Sequence, residues 1–137
     1  INAARERQAV SEAMRAIQVD QRALYSKVGT FSGGNQQKIA MAKWLLTGSE
    51  VLLLFDPTRG VDVGTKHEIY VMVREFADKG GAVLMFSTEI PELTNLCDRV
   101  LVMYGGQIAR EAGRADLSED TIIEEAIGAH RPHAARH

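Results

Sequence analysis

The residues best suited to chemistry stand at the start of a predicted helix, where Ser32 is followed by Gly33, Gly34 and Asn35. A serine in this position caps a helix with its hydroxyl, and two glycines leave the first backbone amides uncovered. Such amides, together with the positive end of the helix dipole, favour a phosphate group. A capped helix without a ligand is the alternative, and Ser-Gly-Gly alone does not separate the two.

Two further candidates follow the ends of apolar strands. Asp56 comes directly after residues 51–55, and Thr88 comes two residues after the apolar run 82–86. The carboxyl ends of parallel strands are where α/β sheets place their chemistry. For Asp56 the alternative is a side chain that caps the loop after the strand. For Thr88 it is local packing or capping at the strand end.

The chain has no phosphate-binding loop of the Gly-x-x-x-x-Gly-Lys-Ser/Thr type. Residues 60–67 come nearest, but Gly60 and Gly64 are one residue too close together and His67 stands where Ser or Thr is required. This stretch also follows the wrong strand. The sequence therefore predicts that the chain does not hold ATP by itself.

The elements that must position these residues alternate between strand and helix. Helices are predicted at residues 3–17, from the residue after Ser32-Gly33-Gly34 to about Thr47, and at 64–78, 91–96 and 118–128, the last with Ser118 as N-cap and Thr121 near its first turn. Strands are predicted at 51–55 and 82–86, both buried on two faces, and a hairpin with a Gly-Gly turn at 99–104 and 107–111. The alternation predicts an α/β fold with a mainly parallel sheet and flanking helices.

Burial within two of the helices follows from their periodicity. The helix after the glycines is predicted to bury Ile39, Ala42, Leu45 and Leu46, with Trp44 in the core. In the helix at 64–78, Tyr70, Met72 and Val73 are predicted to pack, and Glu68, Arg74, Glu75 and Asp78 to face solvent.

Composition narrows the class of protein. A length of 137 residues suits one domain with a core, and a net charge of -2 gives no electrostatic reason to expect a nucleic-acid partner. The single cysteine, Cys97, cannot form an internal disulfide, so we expect a reducing compartment and a buried thiol. No apolar run is long enough to cross a bilayer. The first residues include no initiator methionine and resemble no signal peptide, which predicts a piece of a longer protein.

Four strings in order resemble the ABC ATPase family. Residues 31–38 (FSGGNQQK) resemble its signature motif, and residues 56–62, after an apolar strand, resemble the end of its Walker B strand and the D-loop. Residues 86–93 resemble its switch region, and residues 98–108 its closing strands. NQQK after the glycines and PTRGVDVG after Asp56 look like the second cassette of the double-cassette importers for ribose, galactose and xylose.

The resemblance implies a partial P-loop NTPase fold that lacks the Walker A segment. Residues 1–47 would be the remnant of the helical subdomain, 48–128 the C-terminal part of the ATPase core, and 129–137 a disordered tail. In such cassettes two copies bind ATP head to tail, and the signature of one covers the terminal phosphate held by the other. By resemblance, Ser32, Gly33 and Gly34 would do this, Asn35 would support the turn, and Asp62 would be the D-loop residue that links the two sites. A solvated loop carboxylate is the alternative for Asp62.

The chain departs from the family at the strand end. The family places Asp-Glu before Pro-Thr, so Phe55 occupies the metal-ligand position and Asp56 the position that orients the attacking water. Phenylalanine cannot ligate Mg²⁺, and Asp56 is one methylene shorter than Glu, a misplacement of about 1 Å that can cost on the order of 100-fold in rate. The alternative is that Asp56 is the metal ligand, which would leave no base to orient the attacking water. Thr88 takes the place of the switch histidine.

The implied function is a part of the ATP-binding subunit of a carbohydrate importer at the cytoplasmic face of the inner membrane. The intact transporter would use ATP and Mg²⁺, and this chain alone would bind no cofactor and be inactive. Implied partners are a second cassette, membrane permease subunits and, indirectly, a periplasmic sugar-binding protein. Exposed sheet surface predicts self-association. The alternatives are a non-catalytic pseudo-ATPase interaction module and a soluble ABC ATPase without a permease.

Overall fold

The structure is a computed structural model that describes residues 2–20 and 25–128. It divides into two compact units, residues 1–86 and 87–137. The domain boundaries predicted at residues 47 and 128 stay predictions. The predicted disordered tail lies outside the described residues, as do residues 21–24.

The first unit contains three α-helices, two strands and one short 3₁₀ turn in its described residues. The order is α1 (Ala3–Ala16), a 3₁₀ turn (Val28–Thr30), α2 (Gly33–Leu45), β1 (Val51–Phe55), α3 (Val63–Asp78) and β2 (Ala82–Phe86). Each α-helix begins at a polar cap, Asn2, Ser32 or Asp62, whose side chain accepts a hydrogen bond from a first-turn amide. Gly48, with φ of +69°, lies after the end of α2, where a residue with a Cβ would be strained.

Strands β1 and β2 pair in parallel, from Val51 opposite Ala82 to Phe55 opposite Phe86, as the sequence predicts. The prediction that both faces are buried is wrong. Leu52 is buried, but its neighbour Leu53 is 75% exposed and Phe55 is 74% exposed. Successive side chains in a strand point to opposite faces, and in the described residues helices cover only one face of this pair.

The core of the first unit lies between its helices, and α2 buries a face that overlaps the predicted one only in part, at Ala42. Its buried residues are Gly34, Lys38, Met41 and Ala42. Trp44, predicted in the core, is 57% exposed, and Leu46, predicted in the buried stripe, is 50% exposed. The four buried residues are spaced by three, four or seven positions, which places them on one stripe of the helix. Trp44 and Leu46 lie on either side of that stripe.

The second unit consists of α4 (Ile90–Leu96), β3 (Arg99–Tyr104), β4 (Gln107–Gly113), a 3₁₀ turn (Arg114–Asp116) and α5 (Glu119–Ala126). The predicted hairpin is confirmed, with Gly105 and Gly106 both at positive φ, the conformation that a two-residue type I′ turn requires. The core here is Val100, Val102 and Ile122, and Cys97 packs against it half-buried rather than fully buried. Ser118 caps α5, as predicted.

The α/β class is confirmed, although the sheet is not one mainly parallel layer within the described residues. It consists of a parallel pair, β1 and β2, and a separate antiparallel pair, β3 and β4. Among the helices of the described ranges, none is both long enough and apolar enough to cross a membrane.

Candidate functional site

The four residues Ser32, Gly33, Gly34 and Asn35 form the start of α2 and are called the glycine turn below. The hydroxyl of Ser32 accepts from the Asn35 amide at 3.4 Å, and its backbone carbonyl accepts from the Gln36 amide at 2.9 Å. These two bonds leave the amides of Gly33 and Gly34, the first two of the helix, without an intrahelical acceptor. The helix therefore includes both glycines rather than beginning after them.

The two glycines have different surroundings. Gly33 is exposed, and a Cβ atom placed on it would meet nothing within 4 Å. Gly34 is buried, and a Cβ atom placed on it would lie 2.6 Å from Oγ1 and 2.8 Å from Cγ2 of Thr65. Gly34 is thus required by close packing against α3, a reason that the sequence analysis missed. Gly33 is the glycine whose outer side is open.

Two polar contacts connect α2 to the rest of the first unit on the same face as Gly34. The amide Nε2 of Gln37 donates to the backbone carbonyl of Pro57 at 2.9 Å, which ties the helix to the loop after β1. The ammonium group of Lys38, whose side chain is 5% exposed, donates to Glu68 at 2.6 Å. Glu68, predicted to face solvent, is partly exposed and is also the ion-pair partner of Lys38.

Asp62 lies at the N-terminus of α3 and binds Thr65 through both carboxylate oxygens. Oδ1 accepts from the Thr65 backbone amide at 3.0 Å, and Oδ2 accepts from the Thr65 hydroxyl at 2.8 Å. The backbone hydrogen bond and then the side-chain hydrogen bond from Thr65 lower the pKa of Asp62 below its ordinary value, because both stabilise the carboxylate. Because the Thr65 side chain also packs against Gly34, it connects Asp62 to the glycine turn.

Asp56 has an unusual backbone conformation at the end of β1. Its φ is +44°, in the left-handed region that aspartate tolerates better than most residues. The conformation is held by hydrogen bonds from its amide to the Phe86 carbonyl at 2.8 Å and from the Arg59 amide to its own carbonyl at 3.1 Å. Backbone strain of this kind is often found at functional sites.

Phe55 faces Phe86 across the two strand ends. The rings stack with centroids 4.6 Å apart and an angle of 13° between their planes. A stacked aromatic pair therefore occupies the strand end where the resemblance leads us to expect a metal carboxylate. Mg²⁺ demands oxygen ligands, and the described ranges contain no group of three His, Cys, Asp or Glu side chains that could hold a metal ion. The residues at this strand end do not fit a Mg²⁺ site.

Thr88 belongs to the second unit, where it is exposed between β2 and α4. Beside it lies a polar pair that the sequence analysis did not single out. Glu92 is 2% exposed, and the Ser87 hydroxyl donates to its carboxylate, while the Glu89 amide donates to the Ser87 oxygen at 3.0 Å. This network fixes the turn that carries Thr88.

Within the first unit, the structure connects several of the predicted site residues. The glycine turn and Asp62 meet through Thr65, and the loop that begins at Asp56 is tied to α2 through Gln37 and Pro57. Thr88 is in the other unit. The residues that make these connections, Thr65 and Gln37, were not among the predicted site residues.

Comparison with known proteins points to one family. A family profile described as "ABC transporter" matches residues 2–59. The ribose import ATP-binding protein RbsA 1 of Rhizobium johnstonii is 43% identical over 99% of this chain, which corresponds to 27% of that protein. The ribose import ATP-binding protein RbsA of Corynebacterium glutamicum is 45% identical over 85% of the chain and 22% of its own length. The chain thus spans about a quarter of the curated relatives that it matches.

Solved structures agree with the fold. A nucleotide-free ATP-binding cassette from an ABC transporter superposes with a TM-score of 0.73 at 26% identity, over 88% of this chain and 49% of that one.

Proposed function

The chain belongs to the ABC transporter family, and from that membership we propose that it takes part in ATP-driven sugar import, with its glycine turn covering a phosphate of ATP that another cassette holds. In this role Ser32, Gly33, Gly34 and Asn35 bind nucleotide in trans. The chain supplies one side of a composite site, and the partner cassette supplies the phosphate-binding loop.

The open start of α2 supports this proposal most directly. The amides of Gly33 and Gly34 have no intrahelical acceptor, and within the described part of the chain a Cβ placed on Gly33 would meet nothing within 4 Å. A terminal phosphate placed there would accept charge-assisted hydrogen bonds from the amides and gain from the helix dipole. The Ser32 cap and the contact between Gly34 and Thr65 hold the turn before any ligand arrives.

At its own strand end the chain has poor means of hydrolysis. Phe55 offers no oxygen ligand, and Asp56 is the only carboxylate in the two positions where the family has a pair. Thr88 presents a hydroxyl but no charge at the switch position. We therefore propose that Asp56 and Thr88 mark a degenerate site and that turnover belongs to the site completed by the glycine turn, with Asp62 linking the two.

The transported substrate is a monosaccharide of the ribose class, because the matched relatives are ribose import proteins. In this assembly the chain would work with ATP and Mg²⁺ of the partner site, with membrane permease subunits, and indirectly with a periplasmic sugar-binding protein. Its place would be peripheral, at the cytoplasmic face of the membrane.

A second candidate function is a docking module without turnover. The observation that favours it is the exposed apolar face of the β1–β2 pair, which includes Leu53, Phe55, Leu84 and Phe86, each at least 51% exposed. Such a face requires a protein partner or self-association to remove it from water. The nucleotide experiment below separates the two functions.

The experiment measures how long a fluorescent ATP analogue stays on a complete ABC cassette, with and without this chain. We expect the chain alone to bind the analogue weakly, and the mixture to retain it about tenfold longer or more, as expected for one charged hydrogen bond of roughly 1.5–3 kcal/mol. Gly33→Val shields the amides without an internal clash and should abolish the gain.

Gly29→Val is the matched control, because a Cβ on Gly29 also meets nothing within 4 Å but lies outside α2. Equal retention with wild-type chain and Gly33→Val would contradict the proposed contact. If the chain associates with the complete cassette but does not change the retention of the ATP analogue, the result would support the docking module.

A further inference from the structure

We propose that Thr65 is a positioning residue that holds the carboxylate of Asp62 and the backbone of Gly34 in one arrangement, so that the loop before α3 and the glycine turn move as a single body. The arrangement itself is a property of this chain. Its consequence for nucleotide binding rests on the proposed function.

The first half of the arrangement is the cap of α3. The backbone amide and the hydroxyl of Thr65 each donate to a different oxygen of Asp62, at 3.0 and 2.8 Å. Both carboxylate oxygens are therefore directed at one residue. Threonine has few side-chain rotamers because it is branched at Cβ, so its hydroxyl cannot follow a displaced carboxylate without turning its methyl group as well.

The second half is the contact with Gly34. The missing Cβ of Gly34 would lie 2.6 Å from the Thr65 hydroxyl oxygen and 2.8 Å from its methyl carbon, so this side chain fills the space that glycine leaves. The same oxygen atom that donates to Asp62 thus lies against the second residue of α2. Rotation of Thr65 about its Cα–Cβ bond would drive one of its branches into the Gly34 backbone or away from it.

Two flanking contacts keep this arrangement from sliding. One turn further along both helices, the ammonium group of Lys38 donates to Glu68 at 2.6 Å. On the other side, Gln37 of α2 donates to the carbonyl of Pro57, in the loop after β1, at 2.9 Å. Gly34 lies opposite Thr65, and Lys38 lies opposite Glu68. The two helices therefore run in the same direction where they pack, and both begin at the same end of their interface. A displacement at Asp62 is therefore passed to the glycine turn rather than absorbed between the helices.

The cap of α5 provides an internal comparison. There Ser118 accepts from the Thr121 amide at 3.1 Å, and the two hydroxyls are 2.7 Å apart. The local geometry is that of the α3 cap, but among the described residues no glycine faces Thr121. Capping a helix does not by itself require the contact with Gly34, which sets Thr65 apart from Thr121.

The test uses the full chain and follows backbone amide and carboxyl resonances by NMR as the pH is lowered. In the wild type, the amide of Gly34 should shift with the same midpoint as the Asp62 carboxyl. Asp62→Asn should remove that transition. Thr65→Val, which keeps the shape but loses the hydroxyl, should lose most of the shift at Gly34, and Thr65→Ser should retain it.

Thr121→Val is the control for loss of a capping hydroxyl, and it should leave the Gly34 transition unchanged. A Gly34 amide that still follows Asp62 in Thr65→Val would overturn the proposal, as would a Gly34 amide that never follows Asp62 in the wild type. Thr65→Ser and Asp62→Asn keep the proposal testable if Thr65→Val does not fold.

A second measurement separates this inference from the proposed function. In the ATP-retention experiment, Thr65→Val should reduce retention by about fivefold or more, the lower end of ordinary coupling between sites, and Thr65→Ser should restore it. If the Gly34 amide follows the Asp62 carboxyl but the wild-type chain does not prolong retention of the ATP analogue, the proposed function is refuted and the arrangement stands. Retention without NMR coupling would refute the role of Thr65 and leave the function intact.

Discussion

The glycine turn at the start of α2 and the strand end at Phe55 and Asp56 lie in the same unit but differ in how they are built. The glycine turn is held by the Ser32 cap and the contact with Thr65, and it presents backbone amides. The strand end presents side chains, and the one at the metal position is an aromatic ring stacked on Phe86.

The difference shows how two kinds of ligand site respond to substitution. A site made of backbone amides depends on helix geometry and on small residues at a few positions, so most substitutions leave it intact. A metal site depends on the oxygen atoms of particular side chains, so a single change from carboxylate to phenyl removes it. In this chain the start of α2 keeps its glycines, and the strand end carries the phenyl ring of Phe55, which offers no oxygen ligand.

The largest expected effect comes from filling the space at Gly34. Gly34→Ala places a methyl group 2.6 Å from the Thr65 hydroxyl, and overpacking of this kind should lower the free energy of unfolding by about 1–3 kcal/mol. Urea unfolding measures the change. Gly33→Ala, where the space is open, should cost less than about 0.5 kcal/mol. The double variant Gly34→Ala/Thr65→Ala should recover at least half of the loss, and additive losses would show that the contact with Thr65 is not the cause.

The next effect tests the buried charge that ties α2 to α3. Glu68→Gln leaves the ammonium of Lys38 buried without a carboxylate, and because Glu68 is partly exposed we expect a loss of about 1–2 kcal/mol, below the range for fully buried pairs. The matched control is Glu111→Gln, which breaks the exposed pair with Arg99 and should cost less than about 0.5 kcal/mol. Similar losses for the two variants in urea unfolding would contradict a special role for the buried pair.

A smaller effect is expected at the strand end. Phe55→Leu removes the ring stack with Phe86 and should lower the free energy of unfolding by about 0.5–1.5 kcal/mol.

Mn²⁺ added to the wild type should broaden the NMR signals of residues 54–57 no more than it does in Asp56→Asn. In Phe55→Asp, which restores a second carboxylate, the broadening should increase. Selective broadening in the wild type would show that Asp56 alone binds a metal ion.

The smallest effect concerns the pH dependence of stability. Because its hydrogen bonds from Thr65 lower the pKa of Asp62 in the folded state, the stability contributed by this carboxylate is present above the unfolded pKa of about 3.9 and is lost as the pH falls through the lower folded value. Asp62→Asn should therefore be less stable than the wild type at pH 7, and the difference should disappear in strong acid. Urea unfolding at both pH values measures this, and a difference independent of pH would contradict it.

Much of the fold could be predicted from the sequence because its signals are local. The capping residues Ser32 and Ser118, the turn at Gly105 and Gly106, and the apolar runs of β1 and β2 place their elements within one or two residues. Burial was predicted less well, as the exposure of Trp44 shows, because periodicity identifies an apolar face but not what covers it.

For the candidate site, the sequence by itself determined that a capped pair of glycines begins α2 and that Phe55 stands where a metal ligand is expected, since both depend on residue type and order. Only the tertiary structure decided that Gly33 is open while Gly34 is packed against Thr65, and that Lys38 is buried on Glu68. These contacts join residues about thirty positions apart, and no local pattern specifies them. They exist because α2 and α3 pack side by side with their N-termini at the same end.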